Sequence, residues 1–178
     1  MPFEFAFLDW LYQFRNPVMN TISIFFDYAG AHGEIWIAFT LLLLLFRRTR
    51  RAGFAMAVAL VLYMAAGHFF LKPLFARPRP CDVNTAITTL VKRPHGHSFP
   101  SGHTASAFAA AFALWLQNRK LGVPALVLAA FIAFTRLYLY VHFPTDVLGG
   151  LVLGLALGFF ASWLVDSLAN KSKKKQIV

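Results

Sequence analysis

Apolar residues in this chain occur in long, nearly uninterrupted runs that short polar segments separate. A transmembrane helix needs about 20 mostly apolar residues, and its backbone groups bond within the helix itself. The runs that meet this need, with their flanking residues, are 31–46, 52–71, 101–117, 121–141 and 145–168. The pattern predicts an all-α, polytopic membrane bundle with five transmembrane helices, or six if a stretch at 18–29 also inserts.

The N-terminal segment, residues 1–30, departs from this pattern. Residues 3–15 alternate aromatic and aliphatic residues with polar ones at a helix-like period, which is typical of an amphipathic helix lying in the membrane interface. Residues 18–29 are short for a crossing and carry several polar side chains. We therefore predict interfacial helices over 1–30. Glu4 and Asp9 stand where a signal peptide would be positive, so we expect the segment to belong to the mature protein.

Composition and charge agree with a membrane protein. The 178 residues are 58% hydrophobic and 13% charged, whereas soluble domains carry about 25% charged residues. The 17 Lys and Arg against 7 Asp and Glu give a formal charge of +10, which in a soluble protein would suggest nucleic-acid binding. Here the basic residues at 47–51, 119–120 and 171–175 lie at alternate ends of the predicted helices, and therefore on one side of the membrane. This placement explains the positive charge by membrane topology, so we expect no nucleic-acid partner.

Lys and Arg concentrate in cytoplasmic loops of membrane proteins. The three basic clusters therefore predict a cytoplasmic side, with residues 169–178 as a basic tail. The segments 72–100 and 137–145 then face outward. The length allows one membrane-embedded domain over residues 1–178. Five cations in the outward segment 72–100 oppose the rule, which favours a binding role for them over a merely solvated loop, because charge near the membrane is costly.

The outward segment opens with Lys72, Arg77, Pro78, Arg79 and Pro80. Guanidinium groups match phosphate oxygens in pairs, and an ammonium group adds a movable charge. The prolines are expected to keep this part extended. Such a cluster can clamp a polyanion, although basic residues are also ordinary at membrane ends.

A second cluster, Pro100-Ser101-Gly102-His103, comes just before an alanine-rich helix. Proline is favoured in a first helical turn, and we expect the free N–H groups of Ser101, Gly102 and His103 to form an anion site. Gly102 lets the anion approach, Ser101 offers a hydroxyl, and His103 can carry a proton. The alternative is a serine-capped helix start with an interfacial histidine.

The third cluster joins the last two apolar runs and contains Arg136, His142, Pro144 and Asp146. An arginine inside an apolar helix end is costly unless it meets an anion or a carboxylate. Pro144 breaks the helix after His142, and Asp146 is close enough to accept a hydrogen bond from one ring nitrogen, which would aim the other outward. The alternatives are helix-dipole capping for Asp146 and a solvated turn for His142. All three clusters lie on one predicted membrane face, which favours a shared site.

In combination these clusters resemble the type-2 phosphatidic acid phosphatase superfamily. That family carries a lysine, six further residues and Arg-Pro, then Pro-Ser-Gly-His, then Ser-Arg followed by His and Asp. The matching residues here are Lys72, Arg79, Pro80, Pro100, Ser101, Gly102, His103, Thr135, Arg136, His142 and Asp146. Thr135 stands where the family usually has serine but keeps the hydroxyl.

The resemblance implies metal-independent hydrolysis of a phosphate ester or anhydride through a phosphohistidine. It implies that His142 is the nucleophile, that Asp146 orients it, and that His103 protonates the leaving group and later activates water. The residues that would hold the phosphoryl oxygens are Lys72, Arg79, Ser101, Gly102 and Arg136, with Pro80, Pro100 and Thr135 in support. Fixed positive charge suits phosphoryl transfer, which spreads negative charge over the equatorial oxygens.

We predict no metal and no cofactor. Zinc sites use three or four ligands at characteristic spacings. The spacings of His95, His97, His103 and the only cysteine, Cys81, do not match such a site. His68 and His32 are interpreted as packed or interfacial residues.

The favoured function is a lipid phosphatase of the cytoplasmic membrane, acting at its outer face on undecaprenyl diphosphate. The alternative substrates are phosphatidylglycerol phosphate, phosphatidic acid and lipid A phosphate. The alternative reaction is transfer of the phosphoryl group to an acceptor other than water. A transporter of anionic lipid would need the cations but not a carboxylate-oriented histidine. We expect the substrate and membrane lipids as partners and no obligate protein partner.

Overall fold

The structure is a computed structural model that describes residues 2–30 and 33–175, with side chains up to residue 171. His32 lies outside the described residues. Within them every regular element is a helix, which confirms the all-helical prediction. The elements are α1 (Pro2–Tyr12), α2 (Pro17–Ala29), α3 (Glu34–Leu45), α4 (Arg50–Tyr63), a π-helical segment (Met64–Leu71), α5 (Lys72–Phe75), α6 (Pro80–Val83), α7 (Gly102–Gln117), α8 (Arg119–Tyr138) and α9 (Pro144–Lys175).

Helix α7 is the centre of the bundle and contacts α4, α8 and α9. Its alanines are buried, and three glycines of α9 lie against its backbone. A methyl group at Gly150, Gly154 or Gly158 would fall 2.8, 2.7 or 2.7 Å from a carbonyl oxygen at or near α7. Small residues four apart allow helices to approach closely within a membrane. This close contact fixes the start of α9 beside the start of α7.

Three helical segments of the described chain are long and apolar enough to cross a membrane. They are Arg50–Val83, Arg119–Tyr138 and Pro144–Lys171. Helices α2 and α3 pass the same test together as a fourth, although they are bent by 62°. Helix α7 has only 16 residues, fewer than the roughly 20 of a full crossing. The count of five or six crossings therefore stays a prediction.

Helix α1 is docked on the protein. Its Leu8 is fully buried and packs with Tyr140, Val141 and Phe143, which connect α8 to α9. The Phe5 ring also meets Phe143 edge-on, with the centroids 5.2 Å apart. The prediction of an interfacial amphipathic helix is not confirmed, and the structure gives α1 a second role as a support for the α8–α9 connection.

The segment after residue 71 is extended only in part, because residues 76–79 form no helix and Arg79 has an extended backbone. Lys72 and Pro73 continue the π-helical segment as α5, and Pro80 begins α6. Pro80 stands at the first position of α6, where its missing N–H has no intrahelical partner to lose. Between Val83 and Gly102 the chain forms no further helix. This irregular stretch contacts Lys72 through the His97 carbonyl and Asp146 through Ser98.

Candidate active site

His142 lies in the buried turn between α8 and α9, and Asp146 lies in the first turn of α9. The Nδ1 atom of His142 is 3.5 Å from Oδ2 of Asp146. The same carboxylate oxygen accepts the Phe143 N–H at 2.8 Å and the hydroxyl of Ser98. Asp146 therefore caps the helix and also holds one edge of the imidazole, so the two alternatives for this residue are both realised.

Arg79 occupies the other edge of the imidazole. Its Nη1 atom lies 3.1 Å from Nε2 of His142 and donates to the Val141 carbonyl at 3.0 Å. A guanidinium group can only donate hydrogen bonds, so Nε2 is the accepting nitrogen and the ring proton is on Nδ1, facing Asp146. This is the tautomer that a nucleophilic Nε2 requires.

The charge state of His142 also suits a nucleophile. Burial lowers its pKa to about 3, the cations of Arg79 and Lys72 act in the same direction, and Asp146 opposes them. A group with this pKa is protonated only in strong acid. The imidazole is therefore neutral near pH 7 and keeps the lone pair that would attack phosphorus.

Lys72 and Arg79 fasten the irregular stretch over the site. Lys72 donates from Nζ to the His97 carbonyl at 2.9 Å, and Arg79 donates from Nε to the Gly96 carbonyl at 3.1 Å. Arg79 is almost completely buried. The structure thus brings two of the three predicted phosphate-binding cations to His142.

The Pro100–His103 cluster lies at the start of α7, with two corrections to the prediction. The N–H of Ser101 is not free, because it donates to the Asp146 carbonyl at 3.0 Å. Ser101 is the N-cap of α7, so Pro100 precedes the helix instead of standing in its first turn. Gly102 and His103 begin the helix, and their N–H groups have no intrahelical acceptor.

Arg136 meets a carboxylate that the sequence did not single out. Its Nη1 atom lies 2.6 Å from Oδ1 of Asp27 in α2, and the side chain is 1% exposed. The Nε and Nη2 atoms of Arg136 are buried without a hydrogen-bond partner in the described chain. Two strong donors are therefore left for an anion.

His103 lies beside the same helix. Its Nε2 is 3.4 Å from the Asp27 carbonyl oxygen, and a methyl group at Gly30 would fall 3.1 Å from its Cδ2. The imidazole interacts electrostatically with Arg136, His142 and Lys72. The described structure thus gathers both predicted catalytic histidines into one charged site.

The three predicted supporting residues, Pro80, Pro100 and Thr135, are all buried. Thr135 is fully buried and donates its hydroxyl to the Ile132 carbonyl of its own helix at 2.7 Å. Its hydroxyl proton is therefore used within α8, and its supporting role stays a prediction. Pro80 and Pro100 are buried at the starts of α6 and α7.

Arg77 belonged to the predicted basic cluster but was given no role at the site, and Glu4 was not predicted as a site residue. Arg77 lies 2.6 Å from Oδ1 of Asp146 through Nη1 and 2.7 Å from Oε2 of Glu4 through Nη2. Thr145 donates its hydroxyl to Glu4 at 2.6 Å. The Arg-Pro-Arg-Pro repeat was a usable signal for Arg77, whereas nothing local marked Glu4, Asp27 or Ser98.

No group of three His, Cys, Asp or Glu side chains comes together in the part of the chain that the structure describes. Cys81 is buried with Tyr140 and Val141. These residues offer no set of ligands from which a metal centre could be argued.

The sequence model of the PAP2 superfamily matches residues 48–169. The chain belongs to the PAP2 superfamily. This PAP2 protein is 30% identical over 161 residues to an undecaprenyl-diphosphatase of Sulfolobus acidocaldarius, covering 90% of this chain and 77% of the relative. It is 32% identical over 186 residues to a lipid A 4'-phosphatase of Bacteroides thetaiotaomicron, and the match covers 89% of this chain and 80% of the relative.

The crystal structure of LpxE from Aquifex aeolicus is similar, with a TM-score of 0.71 and 26% identity over 89% of this chain and 94% of that one. The predictions of the family and of a membrane lipid-phosphate hydrolase are therefore confirmed. The route through phosphohistidine, the residue roles and the substrate stay predictions.

Proposed function

We propose that this PAP2 hydrolase removes the terminal phosphate of undecaprenyl diphosphate by transferring it first to His142. One observation carries the mechanism: His142 is held between Asp146 at Nδ1 and Arg79 at Nε2. A carboxylate on one edge and a donor on the other leave a single nitrogen with a lone pair. An anion-binding protein without chemistry would have no need of this arrangement.

In the first step the Nε2 lone pair of His142 forms a bond to the terminal phosphorus while the bond from phosphorus to the leaving oxygen breaks. His103 gives that oxygen a proton. The imidazole ring becomes cationic, and Asp146 stabilises it through the Nδ1 proton. The products are a phosphohistidine and the lipid with one phosphate fewer.

In the second step a water molecule attacks the phosphohistidine, and His103 takes its proton as a general base. Inorganic phosphate leaves and the neutral imidazole of His142 is restored. Lys72, Arg79 and Arg136 provide the positive charge that the equatorial oxygens need, because phosphoryl transfer relies mostly on positioning and electrostatic stabilisation. The free donors of Arg136 support this role most directly.

The name of the Sulfolobus relative favours a polyprenyl diphosphate as the substrate. The name of the Bacteroides relative makes a lipid A phosphate the alternative. The basic residues 47–51 lie at the opposite ends of the helices from the site, which supports insertion into the cytoplasmic membrane with the site outward. The proposed topology has five or six crossings. Residues 72–100 form its outer loop, and residues 169–178 form its cytoplasmic tail.

The decisive experiment measures phosphate release by the purified protein in detergent with excess EDTA. The panel contains undecaprenyl diphosphate, lipid A, phosphatidylglycerol phosphate and phosphatidic acid. We expect undecaprenyl diphosphate to have the highest kcat/KM and EDTA to leave it unchanged. A requirement for added Mg²⁺ or Zn²⁺ would rule out the metal-free mechanism. A preference for lipid A would rule out undecaprenyl diphosphate as the preferred substrate. Phosphate that appears on another lipid instead of in water would identify a phosphotransferase.

A further inference from the structure

Tyr63, the last residue of α4, places its hydroxyl at the start of α7. A methyl group at Gly102 would fall 2.6 Å from the Tyr63 hydroxyl oxygen and 3.6 Å from Cε of Lys72. The phenol oxygen therefore lies directly over Gly102, beside the side chain of a predicted phosphate-binding lysine. None of the sequence clusters includes Tyr63, which is nine residues before Lys72.

A second glycine makes room for the ring of Tyr63. A methyl group at Gly67 would fall 2.6 and 2.7 Å from Cε2 and Cδ2 of the ring. Gly67 belongs to the π-helical segment Met64–Leu71, which begins at the next residue after Tyr63. Such wide turns are rare and often occur at functional sites. Backbone geometry and two glycines of different helices thus combine to hold the tyrosine in this place.

The Tyr63 hydroxyl makes no hydrogen bond within the described chain, and its oxygen is not one of the fully enclosed atoms without a partner. The hydroxyl is therefore accessible, although the residue as a whole is only 8% exposed. Other buried tyrosines of this protein are bonded: Tyr138 donates to Asn20 at 2.8 Å and Tyr140 donates to Asp9 at 2.7 Å. An accessible phenol hydroxyl can donate a hydrogen bond to a ligand. An oxygen of a bound ligand would supply the acceptor that the protein does not.

We propose that Tyr63 is a further catalytic residue, which donates its hydroxyl to a non-bridging oxygen of the phosphoryl group held over the N–H of Gly102. This inference rests on the proposed function, because it takes the phosphate position from Lys72 and the α7 N-terminus. A phenol adds a donor without adding a fourth positive charge to Lys72, Arg79 and Arg136. Phosphate oxygens accept such a bond throughout the reaction, and it shortens as charge develops on them.

The test compares Tyr63→Phe with the wild type in kcat/KM and in inhibition by orthovanadate, which adopts the trigonal-bipyramidal geometry of phosphoryl transfer. One hydrogen bond to a charged group gives an expected loss of roughly 10- to 100-fold in kcat/KM. The inhibition constant of vanadate should rise by a similar factor. The matched control is Tyr28→Phe, which removes a hydroxyl from a residue that is 67% exposed and should change neither value.

Gly67→Ala is the second variant, because it keeps the hydroxyl but displaces the ring. It should also weaken vanadate binding while the protein stays folded, as judged by its thermal unfolding in detergent. Vanadate binding at wild-type strength in both variants would overturn the role of Tyr63 and leave the proposed function intact. A wild-type protein that neither releases phosphate nor responds to vanadate would overturn both.

Discussion

Asp146 uses each of its oxygen atoms on a different part of the site. Its Oδ2 accepts from Phe143 and faces His142, its Oδ1 pairs with Arg77, and its carbonyl accepts from Ser101. One residue thus connects the α8–α9 turn, the Arg-Pro segment and the start of α7. A displacement of this carboxylate would disturb the imidazole and the anion site together.

The two histidines should respond differently to substitution when the leaving group changes. His142→Ala should abolish turnover of every substrate, because no other nucleophile is placed to form the covalent intermediate. His103→Ala should lose roughly 10²- to 10⁴-fold on a lipid phosphate but less on p-nitrophenyl phosphate, whose leaving group needs no proton. Rates on both substrates and trapping of phosphoenzyme measure this. Equal loss on both substrates without phosphoenzyme, or activity in His142→Ala, would contradict the assignment.

Arg77 is expected to act on kcat through Asp146. Arg77→Gln removes the cation that is 2.6 Å from Oδ1 and leaves the phosphate-binding residues unchanged. We expect kcat to fall by roughly 10- to 100-fold, the range for a lost charged hydrogen bond, with the inhibition constant of inorganic phosphate nearly unchanged.

The matched control for Arg77 comes from the same outer segment. Arg93 is partly exposed and lies 3.9 Å from Asp82, so Arg93→Gln should keep wild-type kcat. If Arg77→Gln instead weakened phosphate binding and left kcat as it was, Arg77 would belong to the anion-binding residues.

At the scale of elements, α1 and α2 bring carboxylates to a site whose predicted residues are mostly basic. Glu4 of α1 reaches Arg77, and Asp27 of α2 reaches Arg136. The described helices α1 and α2 therefore complete the electrostatics of the site, in addition to any contact with the membrane.

Asp27→Asn tests this role of α2, because it leaves the guanidinium of Arg136 buried without a counter-ion. Loss of one partner of a buried ion pair costs about 3–5 kcal/mol, so the variant should unfold in detergent at lower temperature. Added inorganic phosphate should raise the unfolding temperature more in Asp27→Asn than in the wild type, since an anion can replace the carboxylate.

Asp166→Asn provides the comparison for Asp27→Asn. Asp166 pairs with Arg51 at 2.6 Å, but both side chains are about half exposed, and such pairs contribute about 0–1 kcal/mol. Its unfolding temperature should change little, with or without phosphate. A phosphate response of Asp27→Asn no larger than that of the wild type would mean that the anion does not reach Arg136.

The sequence predicted the parts of the site that short patterns specify. The position of His142 four residues before Asp146 predicted their contact, and the Pro-Ser-Gly-His cluster predicted the start of α7. Glu4 and Asp27 were not predicted, because they reach the site through contacts across 73 and 109 residues of chain. Periodicity finds the face of a helix but not the distant helix that covers it.

At the scale of the whole molecule, the cations of the segment 72–100 are partly balanced by acidic residues. The five cations of the segment 72–100 looked like an exception to the positive-inside rule. Two of these five cations form ion pairs in the described chain: Arg77 with Glu4 and Arg93 with Asp82. The positive-inside rule counts Lys and Arg and gives acidic residues little weight, so the orientation stays a prediction.

Single-cysteine labelling in intact cells tests that orientation. Thr49→Cys and Ser172→Cys should resist a membrane-impermeant thiol reagent, because the basic residues around them favour the cytoplasm, whereas Thr88→Cys should react. The native Cys81 is buried, so the unaltered chain should label weakly and serve as the blank. Each variant is also labelled after the membrane is permeabilised, which shows that the thiol itself is reactive. Labelling of positions 49 and 172 with protection of position 88 would reverse the orientation and place His142 on the cytoplasmic side.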